Sequence, residues 1–158
     1  MYLLDASSII HAWDNYPVER FQAFWTWMSA QIVSMELGFP RIALEEVKKN
    51  SPECHKWLKN LGPHVVRENS AILQEAVRIQ GLLGIQDGKF RGGVGEADLV
   101  IIATAKVTGC PLLSDEAIQP RHPTALANYK IPAVCGLKTV GVQCWNVLRY
   151  IKEEGGIF

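Results

Sequence analysis

The chain reads as one α/β domain: a three-layer α/β/α fold around a central, mostly parallel sheet of four to five strands, spanning residues 1–158. Three observations predict this. The length is that of one domain, and 48% of the residues are apolar, enough for one sizeable core. Short apolar runs alternate with segments of helical period, the pattern of right-handed βαβ units and a parallel sheet covered on both faces. Neither an internal repeat nor a low-complexity tract interrupts the pattern.

The elements follow in order. Tyr2 to Leu4 is a buried strand ending at Asp5, and Ala6-Ser7-Ser8 leads into a helix. After Asn15-Tyr16-Pro17, Phe21, Phe24, Trp25 and Met28 share one helical face. Gly38 and Pro40 punctuate a short strand over 39–42, and Ala43 to Lys49 is rich in helix formers. Ser51-Pro52-Glu53 begins a helix that Gly62-Pro63 stops. Val65-Val66 is a minimal strand, residues 70–82 hold a helical period, and residues 84–95 form a glycine-rich loop. Glu96 to Val107 is a largely buried helix stopped at Gly109. A strand over 111–114 ends at Asp115, a last strand is expected over 131–134, and a last amphipathic helix over 140–153.

Charge excludes one class of partner mode. Sixteen basic and sixteen acidic residues cancel, so any nucleic-acid contact must use local clusters rather than a global positive field. Cys54, Cys110, Cys135 and Cys144 form no C-x-x-C pair and read as free thiols. The opening residues carry no basic start followed by a long apolar run, so neither a signal peptide nor a membrane anchor is expected, and a cytoplasmic location is.

The chemistry lies in the acids. Asp5 and Asp115 each follow an apolar strand, which puts them at the carboxyl edge of the sheet, where ligands of such folds bind. Glu46 and Asp98 are expected near helix N-termini facing that edge. Carboxylates about 4 Å apart repel by roughly 4 kcal/mol per pair at an effective dielectric of ~20, so four of them in one pocket require protons or a cation. With oxygen as the only ligand type, Mg²⁺ or Mn²⁺ is the expected ion, suited to phosphoryl chemistry; zinc would want grouped His or Cys. Taken singly, each acid is more simply a helix cap or a solvated charge, and it is their joint placement that argues for a site.

Leu3-Leu4-Asp5-Ala6-Ser7, Leu44-Glu45-Glu46-Val47, Glu96 through Ala105, and Leu112-Leu113-Ser114-Asp115 resemble the ordered acidic motifs of PIN domains. The third segment is the most specific, because Asp98 followed by an apolar helix ending Ala103-Thr104-Ala105 is similar to PIN domains of the VapC toxin type. The tail from Lys130 through Trp145, with Phe24-Trp25-x-Trp27 and Lys56-Trp57-Leu58-Lys59, resembles a little-characterised PIN-like subgroup. The resemblance implies Mg²⁺- or Mn²⁺-dependent cleavage of RNA, a toxin silenced by a cognate antitoxin protein, and a homodimer. It carries Asp5, Glu46, Asp98 and Asp115 over as catalytic and metal-binding acids, with Glu45 and Glu96 as alternates. Ser7 stands where many relatives have Asn, and Leu113 where they have a Thr two positions before the last acid; Ser7 and Ser114 are left to orient the acids.

Lys48, Lys49, Lys56 and Lys59, with Lys89 and Arg91 in the glycine-rich loop, could follow a phosphate backbone, or could simply be a solvated face. Trp13, Trp25, Trp27 and Trp57 could stack on bases, although core packing is the simpler role. Two readings of other classes compete. A phosphoacceptor receiver-like domain would want an acidic pair after the first strand, where Asp5 stands alone. A PIN-like scaffold without activity fits Leu113 but not the intact acids. Gly88-Lys89-Phe90 is no P-loop, Gly93-Val94-Gly95 lacks a dinucleotide fingerprint, and neither a nucleophile elbow nor a zincin motif occurs.

Overall fold

A computed structural model describes all residues, 1–158. Five parallel strands form one sheet: β1 (Tyr2–Leu4), β2 (Leu37–Pro40), β3 (His64–Val66), β4 (Leu112–Leu113) and β5 (Cys144–Trp145), in the spatial order β3-β2-β1-β4-β5. The register pairs Leu3 with Gly38 on one side and with Leu112 on the other, so β1 is the centre of the sheet. Eight helices cover the faces: α1 (Ala6–Asn15), α2 (Gln22–Val33), α3 (Arg41–Asn50), α4 (Pro52–Leu61), α5 (Ser70–Leu82), α6 (Glu96–Thr108), α7 (Ile131–Cys135) and α8 (Val147–Glu153). The expected three-layer arrangement is therefore present, and its sheet is wholly parallel.

The two-residue period of a strand divides the core. Leu3 and Leu112 point into a cluster of 22 buried residues built on α5, α6 and α7. Leu4 and Leu113, one residue on, point into a second cluster of 15 that includes residues of α1, α2, α4 and α8. Slipping β1 by one residue would exchange the two sets, so the register is fixed by both faces at once. Helix α6 is the most deeply set: every residue from Leu99 to Ala105 is buried, as its all-round apolar sequence requires. It ends where Gly109 takes φ +70°, a left-handed conformation that glycine adopts without a Cβ penalty.

Several expected boundaries move. The second strand lies at Leu37–Pro40 and its helix starts at Arg41, two residues earlier than the composition suggests. Glu46 consequently sits in the second turn of α3, not near its N-terminus. On α2, Phe24, Trp25 and Met28 are buried as expected, but Phe21 precedes the helix and is exposed.

The C-terminal third departs further. Residues 131–134 are helix α7, not a strand. Pro132 cannot donate to a sheet ladder but fits a first helical turn, and the Ile131 amide is taken by Glu116 Oε2 at 2.9 Å. The last strand is instead Cys144–Trp145, inside the segment expected to be helical, and α8 begins only at Val147, capped by Asn146 Oδ1, which accepts from the Arg149 amide at 2.8 Å. Residues 116–129 stay irregular apart from one 3-10 turn, Leu126–Asn128.

Candidate metal centre

The site is built outward from β1. Asp5 continues the ladder, its amide donating to Leu113 O at 2.9 Å, and its side chain is buried with 3% exposure. A carboxylate so placed must be satisfied locally. Ser7 Oγ donates to Asp5 Oδ2 at 2.5 Å and Ser114 Oγ donates to the same oxygen at 3.0 Å. Ser7 Oγ also accepts from the Asp115 amide at 3.2 Å, and Ser114 Oγ from the Glu116 amide at 3.3 Å. The two hydroxyls thus fasten Asp5 to the end of β4 and fix which of its oxygens is committed. Ser114, not Leu113, supplies the orienting hydroxyl.

Asp98 is the third residue of α6, and its Oδ2 accepts from the Gly95 amide at 2.7 Å, closing the first turn. The loop before it is held by close packing: a Cβ on Gly93 would lie 2.4 Å from Ala127 O, and the Val94 amide donates to Tyr129 O. Glu46 is brought in by α3, whose Ala43 and Val47 are buried against the core. Its neighbour Glu45 is exposed and lies 3.8 Å from Arg41, one helical turn back, so the register selects Glu46.

Asp5, Glu46 and Asp98 each offer a carboxylate oxygen, and these oxygens all lie within 4.8 Å of one another. At that separation each charged pair repels by roughly 3 kcal/mol at an effective dielectric of ~20. Proton affinities respond accordingly. Burial, then the charges of Asp98 and Asp5, push Glu46 up to about 7. Burial pushes Asp98 up to about 6 against the opposing bond from Gly95. Burial also raises Asp5, although both serine hydroxyls pull the other way.

Asp115 does not join this trio. Its Oδ2 accepts from the Val147 amide at 3.3 Å, so it faces the start of α8. The neighbouring Glu116, absent from the expected set, bears on the trio instead, since its charge raises the proton affinity of Asp5, Glu46 and Asp98 alike. Its own oxygens meet the Ile131 amide and, at 3.9 Å, Lys130 Nζ. A spacing signal for it exists: counted back two positions from Glu116, the hydroxyl expected of the motif is Ser114.

The alternates and the basic residues sort in the same way. Glu96 is exposed and lines a groove with Arg41 and Glu68, away from the trio. Lys130, half-buried, and Lys49, exposed, are close enough to lower the proton affinities of Asp98 and Glu46 respectively; Lys48, Lys89 and Arg91 are exposed as well. Lys130 was not among the expected cations. The tryptophans are packing residues: Trp13, Trp25 and Trp57 stack on one another with ring centroids 4.9–5.7 Å apart, and Trp27 packs on Tyr150 and Phe158. The largest cavity, about 590 Å³ and mainly apolar, lies between the start of α2 and α8 and shares no residue with the acids.

The donor chemistry fits a hard cation. The convergent atoms are all carboxylate oxygens, no imidazole or thiol is among them, and their mutual repulsion is what a divalent ion would relieve.

Solved structures with this fold are similar over nearly the whole chain. FitAB bound to the IR36 DNA fragment matches with a TM-score of 0.56 at 14% identity, covering 92% of this chain and 94% of that one. VapBC2 from Rickettsia felis, bound to a DNA fragment from their promoter, matches with a TM-score of 0.57 at 12% identity, covering 92% and 97%. FitAcB from Neisseria gonorrhoeae matches with a TM-score of 0.51 at 16% identity, again over 92% and 97%. At these identities the likeness is one of fold, and the fold is PIN-like. No curated protein matches in sequence. Residues 2–158 match one family throughout, and the chain belongs to it: the family described as Domain of unknown function (DUF4411).

Proposed function

We propose that the chain is a divalent-metal-dependent endoribonuclease, hydrolysing RNA phosphodiesters at the pocket formed by Asp5, Glu46 and Asp98. The observation that carries the reading is the convergence of three carboxylate oxygens within 4.8 Å at the carboxyl edge of a parallel sheet. Asp5, Asp98 and Glu46 would hold Mg²⁺ or Mn²⁺, which when bound neutralises phosphate charge and lowers the pKa of water.

The side chains divide the work. Asp5 and Asp98 are held by serine hydroxyls and a backbone amide, so their free oxygens are fixed in direction. Glu46 differs in that its carboxylate, though it reaches the other two, takes no hydrogen bond from the chain and is free to turn toward the ion or a water beside it. It is the group suited to orient the attacking water and take its proton. Lys49 and Lys130 flank the acids from α3 and from the residue before α7, in position to meet a phosphate backbone.

The partners proposed are RNA, an antitoxin protein and a second copy of this chain. They rest on the resemblance to VapC-type toxins and on the likeness of fold to chains in the FitAB and VapBC2 structures. No helix is long and apolar enough to cross a membrane, which accords with the cytoplasmic location we propose.

The test is cleavage of a mixed-sequence RNA by the purified chain in Mn²⁺. Wild type should cut and Asp5→Asn should lose all metal-dependent cleavage, with calorimetric Mn²⁺ binding lost in parallel. Retained metal-dependent cleavage in Asp5→Asn would refute the assignment. A wild-type chain that neither binds Mn²⁺ nor cuts would favour a scaffold.

A further inference from the structure

A smaller cavity opens beside the acidic pocket. It measures about 280 Å³, and Ser114, Asp115, Ile118, Pro132, Trp145 and Asn146 are among the residues that line it. Ser114 belongs to both sites, because its Oγ also donates to Asp5 Oδ2 at 3.0 Å. A ligand in the cavity therefore lies against the residue that orients Asp5.

The walls are fixed, and two polar groups are left over. The Trp145 carbonyl accepts from the Ser114 amide at 2.8 Å, and its ring packs on Tyr2 at 5.4 Å and beneath the Arg149 guanidinium at 4.6 Å. Glu116, the other acid at the cavity, is already engaged: Oε2 accepts from the Ile131 amide at 2.9 Å and Oε1 lies 3.9 Å from Lys130 Nζ. Asp115 is half-buried and forms no ion pair; Oδ2 accepts from the Val147 amide at 3.3 Å, while Oδ1 takes no donor from the chain. Asn146 commits Oδ1 to the Arg149 amide at 2.8 Å, which leaves its NH₂ as a donor. The cavity thus offers a carboxylate edge and, beside it, an amide donor, with the apolar side chains of Ile118 and Pro132 around them.

That pattern selects one planar, neutral group. On its Watson–Crick edge guanine carries adjacent N–H donors at N1 and N2, followed by the O6 acceptor. A carboxylate accepts the two donors side by side, since each oxygen has lone pairs for more than one bond, and an amide NH₂ donates to O6. In the same register adenine, cytosine and uracil each set a lone pair against a carboxylate oxygen, which leaves acceptor facing acceptor. We propose that this cavity is a base subsite for guanine in the substrate RNA, with Asp115 accepting from N1–H and N2–H and Asn146 donating to O6. Its substrate class rests on the nuclease reading. It gives Asp115, which stands apart from the metal-binding trio, a part in choosing which nucleotide lies beside the cleaved bond.

The experiment titrates the metal-free, full-length chain with the 5′-monophosphates of guanosine, inosine, adenosine, cytidine and uridine, which share the phosphate and differ in the base. Binding is read from amide chemical shifts. Guanosine monophosphate should bind about 10-fold or more tightly than the adenosine, cytidine and uridine forms, the discrimination expected of a well-made two-bond base contact. Inosine monophosphate, which differs from it only in lacking the N2 amine, should fall between. Asp115→Asn should remove the preference by turning an N–H toward guanine's donors, and Asn146→Asp should reduce it by setting an acceptor against O6. Equal affinity for all five, no binding, or a guanine preference that survives Asp115→Asn overturns the proposal. The wild-type comparison of guanosine with inosine monophosphate decides without any variant. Neither metal nor cleavage enters the measurement: a guanine preference in a chain that does not cut RNA leaves the subsite standing and removes the nuclease reading, and cleavage without the preference does the reverse.

Discussion

The two walls of the acidic pocket are made of the same residue type and do different things. On one wall, Asp5, Glu46 and Asp98 crowd their oxygens together, and two of them are pushed up to about 7 and about 6. On the other, Asp115 and Glu116 spend an oxygen each on a backbone amide, at the first residue of α8 and of α7 respectively. The first wall stores repulsion that a cation can relieve. The second converts charge into the placement of short helices that could not stand alone. Sequence position at a strand end does not separate these roles, because what each oxygen meets decides them.

The largest effect is expected at Glu46. The Glu46→Gln variant keeps the shape and removes the proton acceptor, so metal-dependent RNA cleavage should fall by about 10²- to 10⁴-fold. Mn²⁺ binding, read by calorimetry, should weaken less, since Asp5 and Asp98 remain. A variant cutting at the wild-type rate would place the proton acceptor elsewhere.

The crowding of the first wall also makes stability depend on pH in the absence of substrate. Glu46 and Asp98 hold their protons more tightly in the folded chain than in the unfolded one. In that case the folded state binds more protons, and stability falls as pH rises from the ordinary carboxylate range through about 6 and about 7. The metal-free protein should therefore have a lower Tm at pH 8 than at pH 5, by on the order of 1 kcal/mol in stability once solvent screening is allowed for. Mn²⁺ at pH 8 should restore the difference, and Glu46→Gln should flatten the slope. A Tm unchanged between the two pH values, with and without Mn²⁺, would contradict a crowded first wall.

The first wall was the legible one. Asp5 follows an apolar run that reads as a buried strand, and Asp98 precedes a helical run from Leu99 to Ala105 that is apolar but for Thr104, so the apolar pattern places both acids at element ends. Glu46 over Glu45 needed a register that only the buried Ala43 and Val47 supply. The second wall was hidden for local reasons. Ile131-Pro132-Ala133-Val134 has the composition of a strand but the proline of a helix start, and two-residue β5 is too short to show alternation. With α7 read as a strand, Glu116 had no amide to meet, and Asp115 was left as the obvious last acid.

The smallest expected effects lie on that second wall, and they separate its two members. Glu116→Ala removes the acceptor of the Ile131 amide and leaves a five-residue helix uncapped, which should cost about 0.5–2 kcal/mol, the range of lost helix caps. Lys130 loses its partner at 3.9 Å as well, but half-exposed pairs add little. Glu116→Gln keeps an oxygen for the amide and should recover most of that stability while removing the charge felt by Asp5, Glu46 and Asp98. Asp115→Asn likewise keeps an acceptor for the Val147 amide, and its charge is not among those raising the trio. It should therefore unfold within about 0.5 kcal/mol of wild type, in keeping with conservative changes away from a buried network. The two Gln and Asn variants differ in what they do to Mn²⁺ affinity: weaker binding in Glu116→Gln and little change in Asp115→Asn would make Glu116 the fourth charge of the pocket, and the reverse order would return that role to Asp115.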